Sequence, residues 1–453
     1  MNTKNLVLIT LFLVSYLPSF AQPALSSWLQ NTTGTLSRHY VSGNSTPIQD
    51  NDSVNVQTVL YSANWVYIRT KGQPSYVTGP FLDGNPSLAT NQNAIFKISR
   101  TPTQNTGAPT PTTAGNIGIF INGVALFDYR DGVSWHNATN SLKGGPLGGM
   151  GDQVWNRDAV PAEKIGFDCS KGHPAMGNYH HHQNPSAFKL DLNVISNVCN
   201  LYDADGLYTI DSTVHSPLIG FAYDGFPIYG AYGYKEVNGT GGIVRMKSSY
   251  QLRNISVRTQ YADGTPVTAG PAVNGTYPLG YFREDYEYIP TAAATPDYLD
   301  EHNGRFCITP EYPGGIYCYF ATVDANWNSA YPYAVGPTFY GIKNAQKVAS
   351  ITEAVTEFPA TPNATADFSK TLSDITVYPN PVNDILAIQL NNLNTQDIDI
   401  KLFDMSGRLV NKSTIYKGST ITYFDTKTLY AGTYILTITC GNQTANRKVS
   451  VVK

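Results

Sequence analysis

Charged side chains are scarce in this sequence. Only 14% of the 453 residues are Asp, Glu, Lys or Arg, and 30 Lys and Arg stand against 33 Asp and Glu. Without an excess of basic side chains to neutralise a phosphate backbone, the composition argues against nucleic acid as a partner. Long apolar runs are also few: the longest, residues 6–17, falls short of the roughly 20 apolar residues that cross a bilayer. We therefore expect no transmembrane segment.

Tyrosine, glycine and proline are abundant instead. The chain has 31 Tyr, 39 Gly and 28 Pro, and 12% of its residues are aromatic. Aromatic residues favour strands, while Gly and Pro favour turns. No segment shows a helical period longer than three turns. The sequence therefore predicts a mostly β fold.

The first 21 residues have the features of a secretory signal peptide. Lys4 precedes the apolar run 6–17, which is broken at Pro18, and the small residues Ser19 and Ala21 occupy the −3 and −1 positions of a cut after residue 21. Removal of this segment would leave a mature protein that begins at residue 22. Disulfides persist in the compartments that such proteins enter.

The last hundred residues change in character. Residues 349–372 are rich in Ala, Thr and Pro and lack strand alternation, which predicts a linker. Residues 373–453 consist of alternating apolar and polar segments separated by Gly and Asp turns, which predicts a small C-terminal β-sandwich.

Several phrases of this tail occur in an order that resembles a known domain. They are Tyr378-Pro-Asn-Pro381, Asp404-Met-Ser-Gly-Arg408, Ala431-Gly-Thr-Tyr434 and a basic last strand through Arg447 and Lys448. Together they resemble the C-terminal sorting domain of the type IX secretion system. The resemblance implies that the secretion machinery is a partner, that the protein crosses the outer membrane, and that the domain is removed afterwards. The alternative is an accessory binding sandwich that stays attached.

The body of the protein, residues 22–348, is expected to be one large β-rich domain. Residues 52–70 predict a hairpin, and residues 117–127 predict a second hairpin that turns at Asn122-Gly123. Further strands are predicted at residues 94–99, 218–222, 228–233 and 305–322.

Cysteine usage suggests disulfides in the body. Four of the five cysteines lie there: Cys169, Cys199, Cys307 and Cys318. Four cysteines allow three pairings, so the sequence alone does not choose between them. The turn at residues 313–315 favours Cys307 with Cys318, which would leave Cys169 to pair with Cys199. The alternative role for Cys169 is that of a thiolate metal ligand.

Histidine is the residue type that points to chemistry. Four histidines fall within ten residues: His173, His180, His181 and His182. In an extended segment alternate side chains share a face, so His180 and His182 should point one way and His181 the other. His173 would complete a set of three imidazole ligands of the kind that hold zinc, copper or iron, and Met176 could add a soft donor. The alternative is a solvated polar turn without metal.

Two further residues are candidate ligands outside this cluster. Asp224 begins a turn between two apolar segments, where it could simply cap the turn or could supply a carboxylate to the histidines. His302, which follows Glu301, could be a fourth imidazole ligand. The remaining histidines have no distinctive spacing and are interpreted as structural: His39, His136 and His215.

Several phrases of the body resemble the YHYH-domain family over about residues 115–340. They are Ile117 to Val124, Gly172-His-Pro174, Tyr179-His-His-His182, Gly220 to Gly230, and Leu299 to Arg305 followed by Thr309 to Pro313. The third position of the family phrase, usually Tyr, is His181 here, on the face opposite the proposed ligand pair. The resemblance implies secreted or surface bacterial proteins with a histidine centre that is thought to bind metal, and it implies no particular reaction.

These observations lead to two hypotheses. The first is a secreted or surface protein that holds copper or zinc through His173, His180 and His182, with Asp224, Glu301 or His302 nearby; whether it is an enzyme stays open. The second is a non-catalytic adhesion or glycan-binding module in which the histidines only pack. Ring nitrogens that converge on a common point would favour the first hypothesis.

Overall fold

The computed structural model describes residues 22–44, 46–82, 88–186, 206–290, 295–358, 375–390, 397–405, 407–416, 421–440 and 443–453. The chain divides into two compact units, residues 1–359 and 360–453, and each is described by itself. The predicted signal peptide and the part of the predicted linker after residue 358 lie outside the described residues.

Helices are short wherever the structure describes the chain. The two α-helices are α1, Pro23–Ser26, and α2, Ala159–Glu163. Single 3₁₀ turns occur at Asn137–Thr139, Gly145–Leu147, Lys164–Gly166 and Arg283–Asp285. Nearly all other regular structure is strand, which confirms the mostly β fold.

The strands of the first unit follow one another with few helical interruptions. In chain order they are β1 Leu36–His39, β2 Ile48–Ser53, β3 Val56–Tyr61, β4 Trp65–Thr70, β5 Ala94–Ser99, β6 Thr110–Pro111, β7 Asn116–Phe120, β8 Ala125–Phe127, β9 Arg130–His136, β10 Ser141–Gly144, β11 Asn156–Asp158, β12 His173–Ala175, β13 Asn178–His181, β14 Leu218–Ala222, β15 Pro227–Tyr229, β16 Tyr232–Tyr234, β17 Ile243–Arg245, β18 Tyr250–Leu252, β19 Tyr286–Tyr288, β20 Gly304–Cys307, β21 Ile316–Phe320, β22 Thr338–Phe339, β23 Gln346–Val348 and β24 Thr356–Phe358.

An eight-stranded sheet forms the centre of the first unit, in the order β12-β13-β8-β7-β14-β15-β21-β20. The hairpin predicted at residues 117–127 is present as β7 and β8, and it turns at Asn122-Gly123. Gly123 has φ +80°, and a Cβ atom there would lie 2.3 Å from the Thr70 hydroxyl, so only glycine fits. Every residue of β14 is buried, which explains why Leu218–Ala222 is continuously apolar rather than alternating.

A five-stranded sheet, in the order β23-β5-β4-β3-β24, packs on the same core. The hairpin predicted at residues 52–70 is present as β3 and β4. The last two strands of the unit form the two edges of this sheet: β23 pairs with β5, and β24 pairs with β3. The first part of the predicted linker therefore contains a strand, Thr356–Phe358. We call residues 346–358, which supply both edges, the clasp.

One predicted strand is interrupted. The stretch 228–233 is divided between β15 and β16, and β16 leaves the central sheet to pair with β17. The close approach of Gly230 to Tyr208 marks the break, because a Cβ atom at Gly230 would lie 2.6 Å from that ring. The predicted strands at 305–322 form the β20–β21 hairpin.

The preferred disulfide between Cys307 and Cys318 is wrong, since both are free, buried thiols. The hairpin register explains this: Cys307 lies opposite Ile316 and Cys318 lies opposite Arg305, so the two cysteines are diagonal neighbours. Diagonal Cα atoms are about 7–8 Å apart, beyond the usual reach of a disulfide. Cys169 is disulfide-bonded and is therefore not a thiolate ligand. Its predicted partner, Cys199, lies outside the described residues, and that pairing stays a prediction.

The second unit is a small β-sandwich. Its strands are β25 Ile375–Tyr378, β26 Ile385–Leu390, β27 Ile398–Asp404, β28 Leu409–Ile415, β29 Ile421–Asp425, β30 Gly432–Cys440 and β31 Gln443–Val451. They form a three-stranded sheet, β25-β26-β29, and a four-stranded sheet, β28-β27-β30-β31. Inward-facing residues of both sheets, such as Ile388 and Leu436, share one apolar core.

Candidate metal centre

A tight hairpin brings the first two histidines of the cluster together. Strands β12 and β13 pair antiparallel with His173 directly opposite His180. The two turn residues, Met176 and Gly177, have φ +50° and φ +82°, as a two-residue hairpin turn requires. Met176 is 97% exposed at the tip of this turn, so the suggested soft donor points into solvent.

Three imidazole rings converge at the base of the hairpin. The Nε2 atoms of His180 and His182 are 3.1 Å apart, and those of His173 and His182 are 3.4 Å apart. All three residues are buried, with exposed fractions of 7%, 1% and 3% for His173, His180 and His182. Within the described part of the chain these are the histidines whose ligand atoms form a group able to hold a metal ion.

A carboxylate that the sequence reasoning missed lies beside two of the three histidines. Glu163 Oε2 lies 3.2 Å from His173 Nε2 and 3.2 Å from His182 Nε2. The short helix α2 positions Glu163, and the side chain of Asp158 caps this helix by accepting a hydrogen bond from the Val160 amide. The sequence offers one signal for this helix, the capping residue Asp158 shortly before the histidines. That signal does not reveal which side chain of the helix turns toward them.

Backbone carbonyls fix the orientation of two of the rings. His180 Nδ1 lies 2.8 Å from the Asn178 carbonyl, and His182 Nδ1 lies 2.6 Å from the Asp128 carbonyl. A carbonyl oxygen only accepts, so each Nδ1 carries the proton and donates it. In the neutral rings Nε2 is then an acceptor, and the two acceptors face each other. This is the arrangement in which histidines present lone pairs to a metal.

Aromatic rings and burial set the electrostatics of the group. The Phe127 ring stacks on His180 at 3.8 Å, and the Phe167 ring meets His173 edge-on at 5.1 Å. Burial lowers the pKa of His180 well below its usual value, and the neighbouring histidines lower it further.

Contact with the histidines that it faces affects the protonation of Glu163. Burial alone would raise the pKa of Glu163, but the hydrogen bonds and charges of His173 and His182 hold it below its usual range. Burial would lower the pKa of His182, yet its contact with Glu163 raises it. The charged carboxylate is therefore the favoured form at this position.

His181 lies on the opposite face of the strand, as the alternation predicted. Its Nε2 atom is 2.7 Å from the Tyr76 hydroxyl, and its ring meets Phe120 edge-on at 5.6 Å. Burial lowers the pKa of His181 to about 3. His181 is thus a neutral core residue.

His302 and Asp224 lie outside the group of converging ligand atoms. His302 precedes β20, at the edge of the eight-stranded sheet opposite to β12, and its Nδ1 atom is 2.8 Å from the Thr338 hydroxyl. Asp224 follows β14, three strands away from β13, and accepts hydrogen bonds from the Tyr319 hydroxyl at 2.6 Å and the Gly341 amide at 2.8 Å. The order of strands in the sheet separates both residues from the histidines.

The three histidines interpreted as structural each have a local partner. His39 Nδ1 lies 3.0 Å from the Asp50 carboxylate, His136 Nδ1 lies 2.7 Å from the Thr139 hydroxyl, and His215 Nδ1 lies 2.7 Å from the Ser216 carbonyl.

The chain thus consists of a β-rich unit with a buried histidine centre and a second unit that is a small β-sandwich. Residues 376–452 match the model of the secretion system C-terminal sorting domain. Residues 95–332 match the model described as YHYH protein. The second match covers more than half of the chain, and the protein belongs to the YHYH family. No curated protein matched the chain.

The sorting domain places the protein outside the cell. Type IX secretion delivers its cargo to the medium or to the outer-membrane surface, so the secretion machinery is a partner of this tail. Across the described ranges, no helix is both long and apolar enough to span a membrane.

Proposed function

We propose that the exported body binds a transition metal ion, zinc or copper, through His173, His180 and His182, with Glu163 as the fourth donor. The observation that supports this most directly is the pair of Nε2 acceptors of His180 and His182, 3.1 Å apart, whose Nδ1 protons are committed to backbone carbonyls. Two buried lone pairs at this distance repel each other unless a proton or a cation lies between them.

The spacing of the donor atoms fits a tetrahedral ion. Metal–nitrogen bonds of about 2.0–2.1 Å at tetrahedral angles place ligand atoms about 3.3 Å apart. Four of the six donor separations are close to this value: 3.1 and 3.4 Å between nitrogens, and 3.2 Å from Glu163 to each of His173 and His182. The ligand atoms of the three histidines all lie within 4.8 Å of one another. Zinc, or copper in its tetrahedral monovalent form, matches these values better than square-planar divalent copper does.

Glu163 decides what such a site could do. With the carboxylate bound, four protein donors fill a tetrahedral ion, which then serves binding or structure. The Glu163 side chain is 25% exposed, which makes it the most accessible of the donors. Displacement of this carboxylate by water would open a position for Lewis acid chemistry, as in hydrolytic zinc sites.

The first test is elemental analysis of the purified protein, prepared without chelator, beside a variant that combines His180→Gln and His182→Gln. Wild type should carry about one equivalent of zinc or copper per chain, and the double variant should carry none. The matched control is His181→Gln, in the same run of histidines but on the opposite face, which should retain the metal. Absence of metal from folded wild type, together with failure to reload either ion, would overturn the proposal.

A further inference from the structure

A second feature beside the histidine centre is a cavity of about 490 Å³. Its lining includes Val160, Lys164 and Phe167, together with residues 275–276 and 278–281. This volume falls within the range of small-molecule binding sites in proteins. The cavity is adjacent to the centre, because Phe167 also contacts the His173 ring.

Gln183 is the unusual residue of this cavity. It lines the cavity and is fully buried, yet among the described residues neither its amide nitrogen nor its amide oxygen has a hydrogen-bond partner. Nearly all buried polar groups in proteins have a hydrogen-bond partner, so a buried amide with neither of its groups bonded needs an explanation. A primary amide offers a donor and an acceptor side by side. A ligand that presents an acceptor beside a donor would satisfy both.

Aromatic side chains form much of the remaining wall. Tyr281, Tyr286 and Tyr333 line the cavity together with Phe167. The Tyr333 hydroxyl donates to Asp158 at 2.7 Å, which fixes that ring. Tyr286 is stacked on a further tyrosine, Tyr331, at 3.9 Å. These rings therefore offer flat apolar surfaces that are already in place.

The loop at residues 275–281 is held rigidly by a buried arginine. The Arg258 guanidinium donates to the Tyr277 carbonyl at 3.1 Å and to the Pro278 carbonyl at 3.0 Å. It also forms a two-pronged ion pair with Asp285, with distances of 2.7 and 2.8 Å, and both side chains are fully buried. A preformed wall lowers the entropic cost of binding a ligand.

The charge of the lining restricts the ligand. Lys164 is the one charged side chain among the described residues that line the cavity, and no carboxylate lines it. A cationic ligand would find no counter-charge there, whereas a neutral or acidic ligand would be accepted.

We propose that this cavity binds a short saccharide. Neighbouring hydroxyl groups on a sugar ring supply the adjacent donor and acceptor that the Gln183 amide lacks, and the apolar faces of the ring match the tyrosine surfaces. A mono- or disaccharide fits a cavity of about 490 Å³. The proposal does not depend on metal, because none of the four metal donors lines the cavity.

Calorimetric titration of the full chain tests this with three probes: cellobiose, N-acetylglucosamine and glucuronic acid. At least one should bind saturably below about 10 mM, a concentration that nearly fills a site with a Kd of about 1 mM. Binding should persist in the presence of a chelator, which separates this proposal from the metal proposal. Lack of saturable binding of all three probes would overturn it.

The diagnostic variant is Gln183→Leu. Loss of two buried hydrogen bonds should weaken binding roughly ten- to a hundred-fold. The melting temperature should stay the same or rise, because the variant removes an unpaired buried amide. Unchanged affinity in Gln183→Leu would overturn the role of the amide.

A second variant, Tyr281→Ala, removes a wall ring and covers the case in which Gln183→Leu does not fold. It should weaken binding at least about five-fold, as loss of an aromatic contact does. Tyr430→Ala, a tyrosine that is 87% exposed in the C-terminal unit, should bind like wild type. Affinity equal to wild type in Tyr281→Ala would contradict binding in this cavity.

Discussion

Replacement of Glu163 by Gln should weaken metal binding while leaving the three imidazoles in place. The substitution preserves the size of the side chain and removes the negative charge that lies 3.2 Å from both His173 Nε2 and His182 Nε2. An ion at this site would then keep its three neutral imidazole donors and lose the negatively charged carboxylate.

The size of the effect follows from the position of the carboxylate. Loss of groups that merely support metal ligands costs about 10–100-fold in affinity, so loss of a direct donor should cost at least about 100-fold. At saturating metal this is about 2.8 kcal/mol of lost stabilisation. A unit of roughly 340 residues has an unfolding entropy of about 0.7 kcal/mol/K, so the metal-induced rise in Tm should shrink by about 4 °C.

Calorimetric melts with and without saturating zinc measure this for each protein. Comparison of the two melts within one variant cancels any effect of the substitution on the metal-free fold. The matched control is Glu301→Gln, whose side chain is 55% exposed and faces His302 instead, with Oε1 3.8 Å from His302 Nε2, and it should show the wild-type shift. A zinc-induced rise in Glu163→Gln as large as in wild type would refute a role for this carboxylate as a donor.

Three other predictions concern a buried arginine, a buried aspartate and the cysteines. Arg258→Ala should lower the free energy of unfolding by about 3–5 kcal/mol, measured by urea unfolding, because it leaves the fully buried Asp285 without its partner; a loss under about 1 kcal/mol would contradict the anchoring role. Burial raises the pKa of Asp224 from 3.8 to about 6. The protonated carboxyl group therefore stabilises the fold fully below about pH 4, and this stabilisation is lost as the pH rises through 6. Over that interval the free energy of unfolding should fall by about 3 kcal/mol less in Asp224→Asn than in wild type; equal losses in urea titrations would disprove this. Finally, labelling of the unreduced chain should modify Cys307, Cys318 and Cys440 only after denaturation, and Cys169 not at all; a mass spectrum with labelled Cys169, or with rapid labelling in the native state, would disagree with the structure.

The arrangement of the histidines could be predicted because it depends on local geometry. Strand alternation alone places His180 and His182 on one face and His181 on the other, and the structure has this arrangement. A tight turn of two residues, Met176 and Gly177, then brings His173 opposite His180. These relations span ten residues and need no knowledge of the rest of the fold.

The other members of the site depend on tertiary placement. Glu163 reaches the histidines because α2 lies next to the hairpin, and the Asp128 carbonyl reaches His182 across 54 positions of sequence. Neither contact has a periodic signature. His302 belongs to a matching phrase, yet the strand that follows it, β20, lies six strands away from β13 in the sheet, a separation that no local pattern indicates.

The clasp has a practical consequence for anyone who trims or processes this chain. Residues 346–348 and 356–358 occupy the two opposite edges of the five-stranded sheet. A polypeptide that stops at residue 348 would lose β24 and leave the backbone of β3 as an open edge, which invites pairing between molecules and aggregation. Proteolytic maturation that discards the sorting tail would keep all five strands of this sheet only if it cuts after Phe358, so a purified body should extend at least to residue 358.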